Sequence, residues 1–189
     1  MTPFEFLAIA ISVIFGLAIS RLISGIGLAF RQIKSKKYYW LHGIWMVNML
    51  ILLSANWWSL YAWSKFENWN IIYFGLLIIY TISLFLISDF LVPQKLDNTL
   101  NTKEYFNDNK TYFLVLVLIS LVVDFFETRS LANLDLRPIP KGQLLVSSLL
   151  SSILIINLLV KKDKLNYVFS VSFGLILITY LIFGIFLIR

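Results

Sequence analysis

A chain of 189 residues that is 59% hydrophobic, 14% charged and positive in mean hydropathy (+0.83) lies far from globular usage. It has no cysteine and one histidine, His42, which excludes disulfides, thiolate nucleophiles, Cys-based zinc sites and a His-rich metal site within one chain; no cofactor and no metal are expected. The net charge of +6 sits in stretches between apolar blocks, with no basic stripe interleaved with stacking aromatics, so it reads as membrane topology and not as nucleic-acid binding.

The apolar residues come in blocks of about 20, the length that a bilayer imposes on a spanning helix. The expected fold is therefore all-α, a polytopic transmembrane helix bundle forming one domain over 1–189, with no soluble domain. About six spans are drawn, at 3–30, 40–63, 71–92, 111–128, 143–160 and 165–188. Apolar residues run continuously along each block instead of alternating, and open strands would leave backbone groups unpaired in lipid.

The first block carries Glu5, lacks a basic leader and is longer than a signal-peptide core, so it is expected to be retained. In its middle stands GLAISRLISGIG, with Arg21 alone among apolar and small residues. A charge inside a span is costly when it faces lipid, so Arg21 should face the bundle and meet a partner. Counting ~1.5 Å per residue from the more basic end, Arg21 lies roughly 10 to 16 Å deep, Asn48 on the second span about 12 Å and Asp124 on the fourth about 20 Å. These three form a candidate polar site in the membrane. Asp124 is the first-choice partner by depth and sign; Asp89, about 5 Å inside the edge of the third span, is the second, because a long Arg side chain can snorkel toward that edge.

Ser12, Gly16, Ser20 and Ser24 recur every fourth residue on the same helix, with Gly27 close to their line, a spacing that permits close helix packing. Packing within one chain is the commoner use of such a ridge; contact between protomers stays open. Arg21 shares a different face with Ala18 and Gly25.

Tyr38, Tyr39 and Trp40 stand at one end of the second span and Trp57, Trp58, Tyr61, Trp63 and Trp69 at the other, which reads as two interfacial aromatic belts. The third loop, PQKLDNTLNTKEYFNDNK, is read as a solvated connection with a short helix, and the fourth, RSLANLDLRPIPKGQ, as extended around Pro138 and Pro140. Asp124 and Glu127, three residues apart, share one helical face and form a candidate proton or cation site; the plainer alternative pairs Glu127 with Arg129 or Arg137 at the interface. Ser147, Ser148, Ser151 and Ser152 should bond back to helical carbonyls or across to neighbours.

Ten basic residues fall in the first, third and fifth loops (Arg31, Lys34, Lys36, Lys37, Lys95, Lys103, Lys110, Lys161, Lys162, Lys164) and five on the opposite side (Lys65, Arg129, Arg137, Lys141, Arg189). The positive-inside rule then places both termini outside the cytoplasm.

Phe4 to Phe6 (FEF), Gly16 to Gly25 (GLAISRLISG), the Trp40, His42 and Trp45 cluster, Asn56 to Trp58 (NWW), and Val92-Pro93 followed by Tyr105-Phe106 together resemble a family of bacterial multi-pass inner-membrane proteins of unknown function, over roughly the first two thirds of the chain. The resemblance implies a bacterial inner-membrane location and brings no activity.

With so little mass outside the bilayer, the leading functional expectation is a small channel or transporter-like protein in which Arg21, Asn48 and Asp124 or Asp89 form the working site. Its partners would be the lipid bilayer and, in an oligomer, further copies of itself. The alternative is a non-catalytic sensor, anchor or assembly subunit that docks a protein partner on basic cytoplasmic loops. No enzyme is expected: Ser24 next to Gly25, with His42 as the only base of its kind, is too little for a nucleophilic site.

Overall fold

A computed structural model describes residues 1–31, 38–93, 101–136, 138–140, 142–160 and 162–187, the side chains of 184–187 excepted. Lys34, Lys36, Lys37, Lys95, Arg137, Lys141, Lys161 and Arg189 lie outside the described residues, and with them much of the charge count behind the orientation.

Six α-helices and one 3-10 turn make up the described chain, with no strand among its residues: α1 (Pro3–Arg31), α2 (Trp40–Ser59) continued by the 3-10 turn Leu60–Lys65, α3 (Ile71–Leu91), α4 (Thr102–Asn133), α5 (Gln143–Leu159) and α6 (Asp163–Leu187). Five of them, the second taken with its 3-10 turn, are long and apolar enough to cross a membrane. The protein is thus a small all-helical integral membrane protein. At 17 residues α5 falls short of the other helices, and at ~1.5 Å per residue it covers about 25 Å of a core some 30 Å thick.

Neighbouring helices close a ring in the order α1, α3, α4, α5, α6, α2, with α2 also leaning on α3. One face of the bundle carries the starts of α1, α3 and α5 and is here the terminal face; the other carries Arg31, Lys103 and Lys162 and is the basic face. Large apolar side chains such as Ile9, Val13, Leu17, Ile79 and Leu175 point outward, as lipid contact requires.

Helix ends follow local chemistry. Asn70 caps α3, its side chain accepting from the backbone N–H of Ile72 and Tyr73 at 3.0 and 3.1 Å. Asn101 caps α4 in the same way through Lys103 and Glu104, so the helix begins nine residues before the expected span and takes in the TKEYFNDNK part of the third loop. Phe106 and Thr102 are buried on that extension, which is therefore packed helix and not a solvated connection.

The aromatic belts are only partly belts. Trp57, Trp58 and Tyr61 are exposed, but Trp63 is buried and packs with Phe66, Trp69 and Tyr73 at centroid distances of 5.6 to 5.9 Å. Tyr38 and Tyr39 are likewise buried; Tyr39, outside the spans, has its phenol pKa raised by burial first and then by the Asp163 carboxylate to which it donates at 3.1 Å.

The expected packing ridge turns away from the chain's own bundle. Ser12, Gly16, Ser20 and Ser24 are exposed, Gly27 is half-buried, and a Cβ on Gly16 would meet nothing within 4 Å. Close approach is made on Arg21's face instead: Ala18 is buried, and a Cβ on Gly25 would lie 2.6 Å from Met46 Sδ and 2.9 Å from Val92 Cγ2. Four-residue spacing identifies a stripe but not what it faces.

Candidate functional site

The expected layer of Arg21, Asn48 and Asp124 does not assemble. Arg21 meets Asp89, Nε to Oδ1 at 2.8 Å, and its Nη2 donates to the Val92 carbonyl at 3.2 Å, both side chains being about two-thirds buried. Asn48 belongs to another contact: Nδ2 donates to the Ser170 carbonyl of α6 at 2.8 Å. Asp124 is distant from both, near the terminal face. Rotation of the helices separates Asn48 from Arg21 at similar depth, but Asp124 is separated by depth itself: α4 begins at Thr102, so Asp124 lies twenty-two residues, ~33 Å, along it, against ten residues, ~15 Å, from Arg21 to the end of α1.

The Arg21 group is a helix end capped in trans. The last carbonyls of α3 are taken by side chains from three other helices: Phe90 by the Tyr105 hydroxyl of α4 at 3.1 Å, Leu91 by His42 of α2 at 2.5 Å, and Val92 by Arg21 of α1. Because a carbonyl only accepts, His42 Nε2 carries the proton, leaving Nδ1 as a buried lone pair without a partner. A cation at a helix C-terminus is also favoured by the helix dipole. Together Arg21, His42 and Tyr105 tie α1, α2 and α4 to the end of α3.

A different set of residues lines the interior between α2, α4, α5 and α6. On α5 it runs Gln143, Ser147, Leu150, Leu154, Asn157; on α6, Asn166, Ser170, Phe173, Leu177, Tyr180; on α4, Lys110, Phe113, Val117, Ser120, Asp124. Steps of three and four put each series on one helical stripe. In every case polar residues stand at both ends with apolar ones between them.

Toward the terminal face these stripes open into a cavity of about 460 Å³. Asn56, Tyr80, Asp124, Gln143 and Tyr180 line it, with Trp58, Tyr61 and Lys65 at its rim. The Tyr80 hydroxyl donates to Asn56 Oδ1 at 2.5 Å, and Asn56 Nδ2 to the Leu52 carbonyl at 2.9 Å, so these two hold each other in place. Gln143 is 4% exposed and its Oε1 has no hydrogen-bond partner.

Below the cavity the interior closes. Val117 and Leu154 are buried next to the cavity-lining Leu150 and Leu177, and beyond them Trp45 packs its ring on Phe113 and Phe173 at centroid distances of 5.4 and 5.2 Å. All three rings are 0% exposed. Toward the basic face polarity returns: Lys110 Nζ donates to the Val160 carbonyl and to Asn166 Oδ1, both at 3.1 Å, and Asn157 is fully buried with neither amide atom hydrogen-bonded.

Glu127 and Asp124 both stand near the Tyr80 hydroxyl. Glu127 Oε1 accepts from the Trp63 indole at 2.6 Å, tying α4 to the 3-10 turn, whereas Asp124 lines the cavity. Arg129 lies over the Phe125 ring, 5.3 Å from its centroid, and Arg137, the other residue expected to pair with Glu127, lies outside the described residues. Ser148 and Ser152 do bond back to helical carbonyls, at 2.7 Å each, while Ser147 faces the cavity. Among the described residues no group of three or more His, Asp or Glu could hold a metal.

No family model matches the chain, and neither a curated protein nor a solved structure is found similar to it.

Asn48 also supplies a packing test. Its amide lies against the backbone of Gly174, where a Cβ would collide with Oδ1. Gly174→Ala should push the Asn48 side chain off the Ser170 carbonyl and cost about 1–3 kcal/mol, read as a lowered thermal midpoint in detergent. An unchanged midpoint would show that α2 and α6 can part there without loss.

Proposed function

We propose that this is a small transporter-like membrane protein whose solute path runs between α2, α4, α5 and α6, away from Arg21. The observation that carries the reading is the sequence of environments along that axis: an open cavity with polar groups set in mainly apolar walls, a closed apolar and aromatic segment, and a second buried polar region. Buried amide atoms without partners are costly in a purely structural core, and Gln143 Oε1 and the Asn157 amide lie fourteen residues, ~21 Å, apart on one helix. A path that takes up and releases hydrogen-bonding solutes gives both a use. The protein would act without chemical catalysis, in a bacterial inner membrane with both termini outside the cytoplasm, so that the cavity opens outward.

Proteoliposomes should take up labelled methylammonium, glycerol or potassium ions faster than protein-free vesicles, with a rate that saturates. A correctly folded protein that moves none of the three would sink the proposal. A second reading, a docking subunit without flux, is favoured by the exposed hollow on the basic face lined by Lys103, Asn107, Lys162, Asp163 and Lys164, which suits an acidic partner.

A further inference from the structure

We infer that the hollow on the basic face holds the headgroup phosphate of an anionic phospholipid, with Lys162 and Lys164 at the start of α6 as its cationic partners and Lys103 and Asn107 of α4 as the facing wall. The hollow lies at the opposite end of the bundle from the cavity and is independent of any solute path.

Charge decides the sign of the occupant. Asp163 is the acid among the described residues of the walls, and it is already engaged: it accepts from the Lys103 ammonium and from the Tyr39 hydroxyl, the latter at 3.1 Å. That pairing offsets Lys103 and leaves Lys162 and Lys164, which are exposed and, among the described residues, held by no carboxylate and no hydrogen bond. Glu104 and Asp108 stand on the same stretch of α4 but do not line the hollow. Two uncompensated ammonium groups, two residues apart on one rim, draw an anion, and lysine binds phosphate as a point charge without a fixed geometry.

Position decides which anion. Lys103, Asn107 and Lys110 follow in steps of four and three along α4, so Lys110 lies on the hollow's side, further into the bundle. Its Nζ holds the Val160 carbonyl at the end of α5 and Asn166 Oδ1 of α6, both at 3.1 Å. The short α5 therefore ends beside an ammonium group, as expected at the headgroup level, while the first turns of α4 supply the wall of the hollow beyond it. Apolar surface for an acyl chain starts at the same place. Leu159, the last residue of α5, is 77% exposed, and Leu165, which lines the hollow, shares an outward face of α6 with the exposed Val168 and Leu175, ten residues or ~15 Å in all. Basic pockets between helices at the membrane edge are a recurring setting for anionic headgroups. A soluble acidic segment could meet the same lysines but would make no use of this apolar face.

The test uses phosphatidylglycerol, with phosphatidylcholine as its zwitterionic counterpart of equal chain length, glycerol phosphate as a headgroup without chains, and a polyglutamate peptide as a soluble acidic partner. Binding to the full-length protein in a neutral detergent is read from the mass of intact complexes and from the shift of the thermal midpoint. Phosphatidylglycerol should bind at one lipid per chain, at least tenfold tighter than any of the other three probes. Lys162→Gln with Lys164→Gln should weaken it at least tenfold and leave the midpoint of the lipid-free protein unchanged, because neither side chain is bonded within the chain; Arg129→Gln, on the other side of the bundle, should leave lipid binding unchanged. Equal binding of phosphatidylcholine, or undiminished binding of phosphatidylglycerol to the folded double variant, overturns the assignment. Glycerol phosphate binding as tightly as the lipid would show a site for free phosphate, and polyglutamate binding tighter than the lipid would give the hollow to a protein partner; either result also overturns it. Flux through proteoliposomes is measured separately, so failure of lipid binding leaves the transport reading untouched and the reverse holds too.

Discussion

Trp45→Ala should turn a closed interior into a leak. The Trp45 ring is fully buried and packs on Phe113 and Phe173, whose rings complete the segment below the cavity. Truncation to a methyl removes nearly all of that contact and leaves a void on the axis where no smaller neighbour can fill it. Proteoliposomes carrying the variant should pass methylammonium and glycerol several-fold faster than wild type and without saturation. Stability should fall by about 3–5 kcal/mol, the usual consequence of removing a large buried aromatic side chain.

The contrast with Trp45→Phe makes the test decisive. The Trp45 indole Nε1 is buried without a hydrogen-bond partner, a liability of about 1–3 kcal/mol that phenylalanine avoids. Phenylalanine also keeps an aromatic surface against Phe113 and Phe173. The Phe variant should therefore fold as stably as wild type or better and stay closed, while the Ala variant leaks. A folded Ala variant that is as tight as wild type would mean that these rings do not close a path.

How much of this was legible in the sequence follows from what each signal measures. Block length and continuity fixed six helices and their order, because bilayer thickness and backbone satisfaction leave few alternatives. Capping asparagines, not hydropathy, decided where α4 begins. Depth arithmetic failed for Arg21 on two counts: it ignores faces, so Asn48 looks toward Ser170 and Arg21 toward the end of α3, and it counted α4 from residue 111 and not from Thr102, which set Asp124 too close to the basic face. Asn56, Tyr80, Gln143, Asn157 and Asn166 were missed as site residues although their signal was present. On α5 and α6 polar residues recur in steps of three and four with apolar residues between them, a stripe visible only when each block is folded onto a helix before it is scanned for charge. The cavity depends on how loosely α2 and α4 meet, and no pattern within a single helix encodes that.

Arg21→Gln should impair assembly and leave the intrinsic permeability of the surviving folded protein unchanged. The Arg21–Asp89 pair joins α1 to α3 outside the α2, α4, α5 and α6 interior, and removing the cation strands Asp89 and frees the Val92 carbonyl. Because each side chain keeps about a third of its exposure, the cost should be near 2 kcal/mol, below the 3–5 kcal/mol of a fully buried pair. Arg21→Leu with Asp89→Leu removes both charges at once, and an apolar pair of similar bulk in a lipid-facing bundle should recover most of the loss. Val92 then still lacks its donor, so recovery should stop short of wild type by about 1 kcal/mol. The checks are thermal unfolding in detergent for the single and double variants together with flux per folded molecule. Wild-type stability in Arg21→Gln, accompanied by altered flux, would return Arg21 to the solute path and move the working site from the cavity to the end of α3.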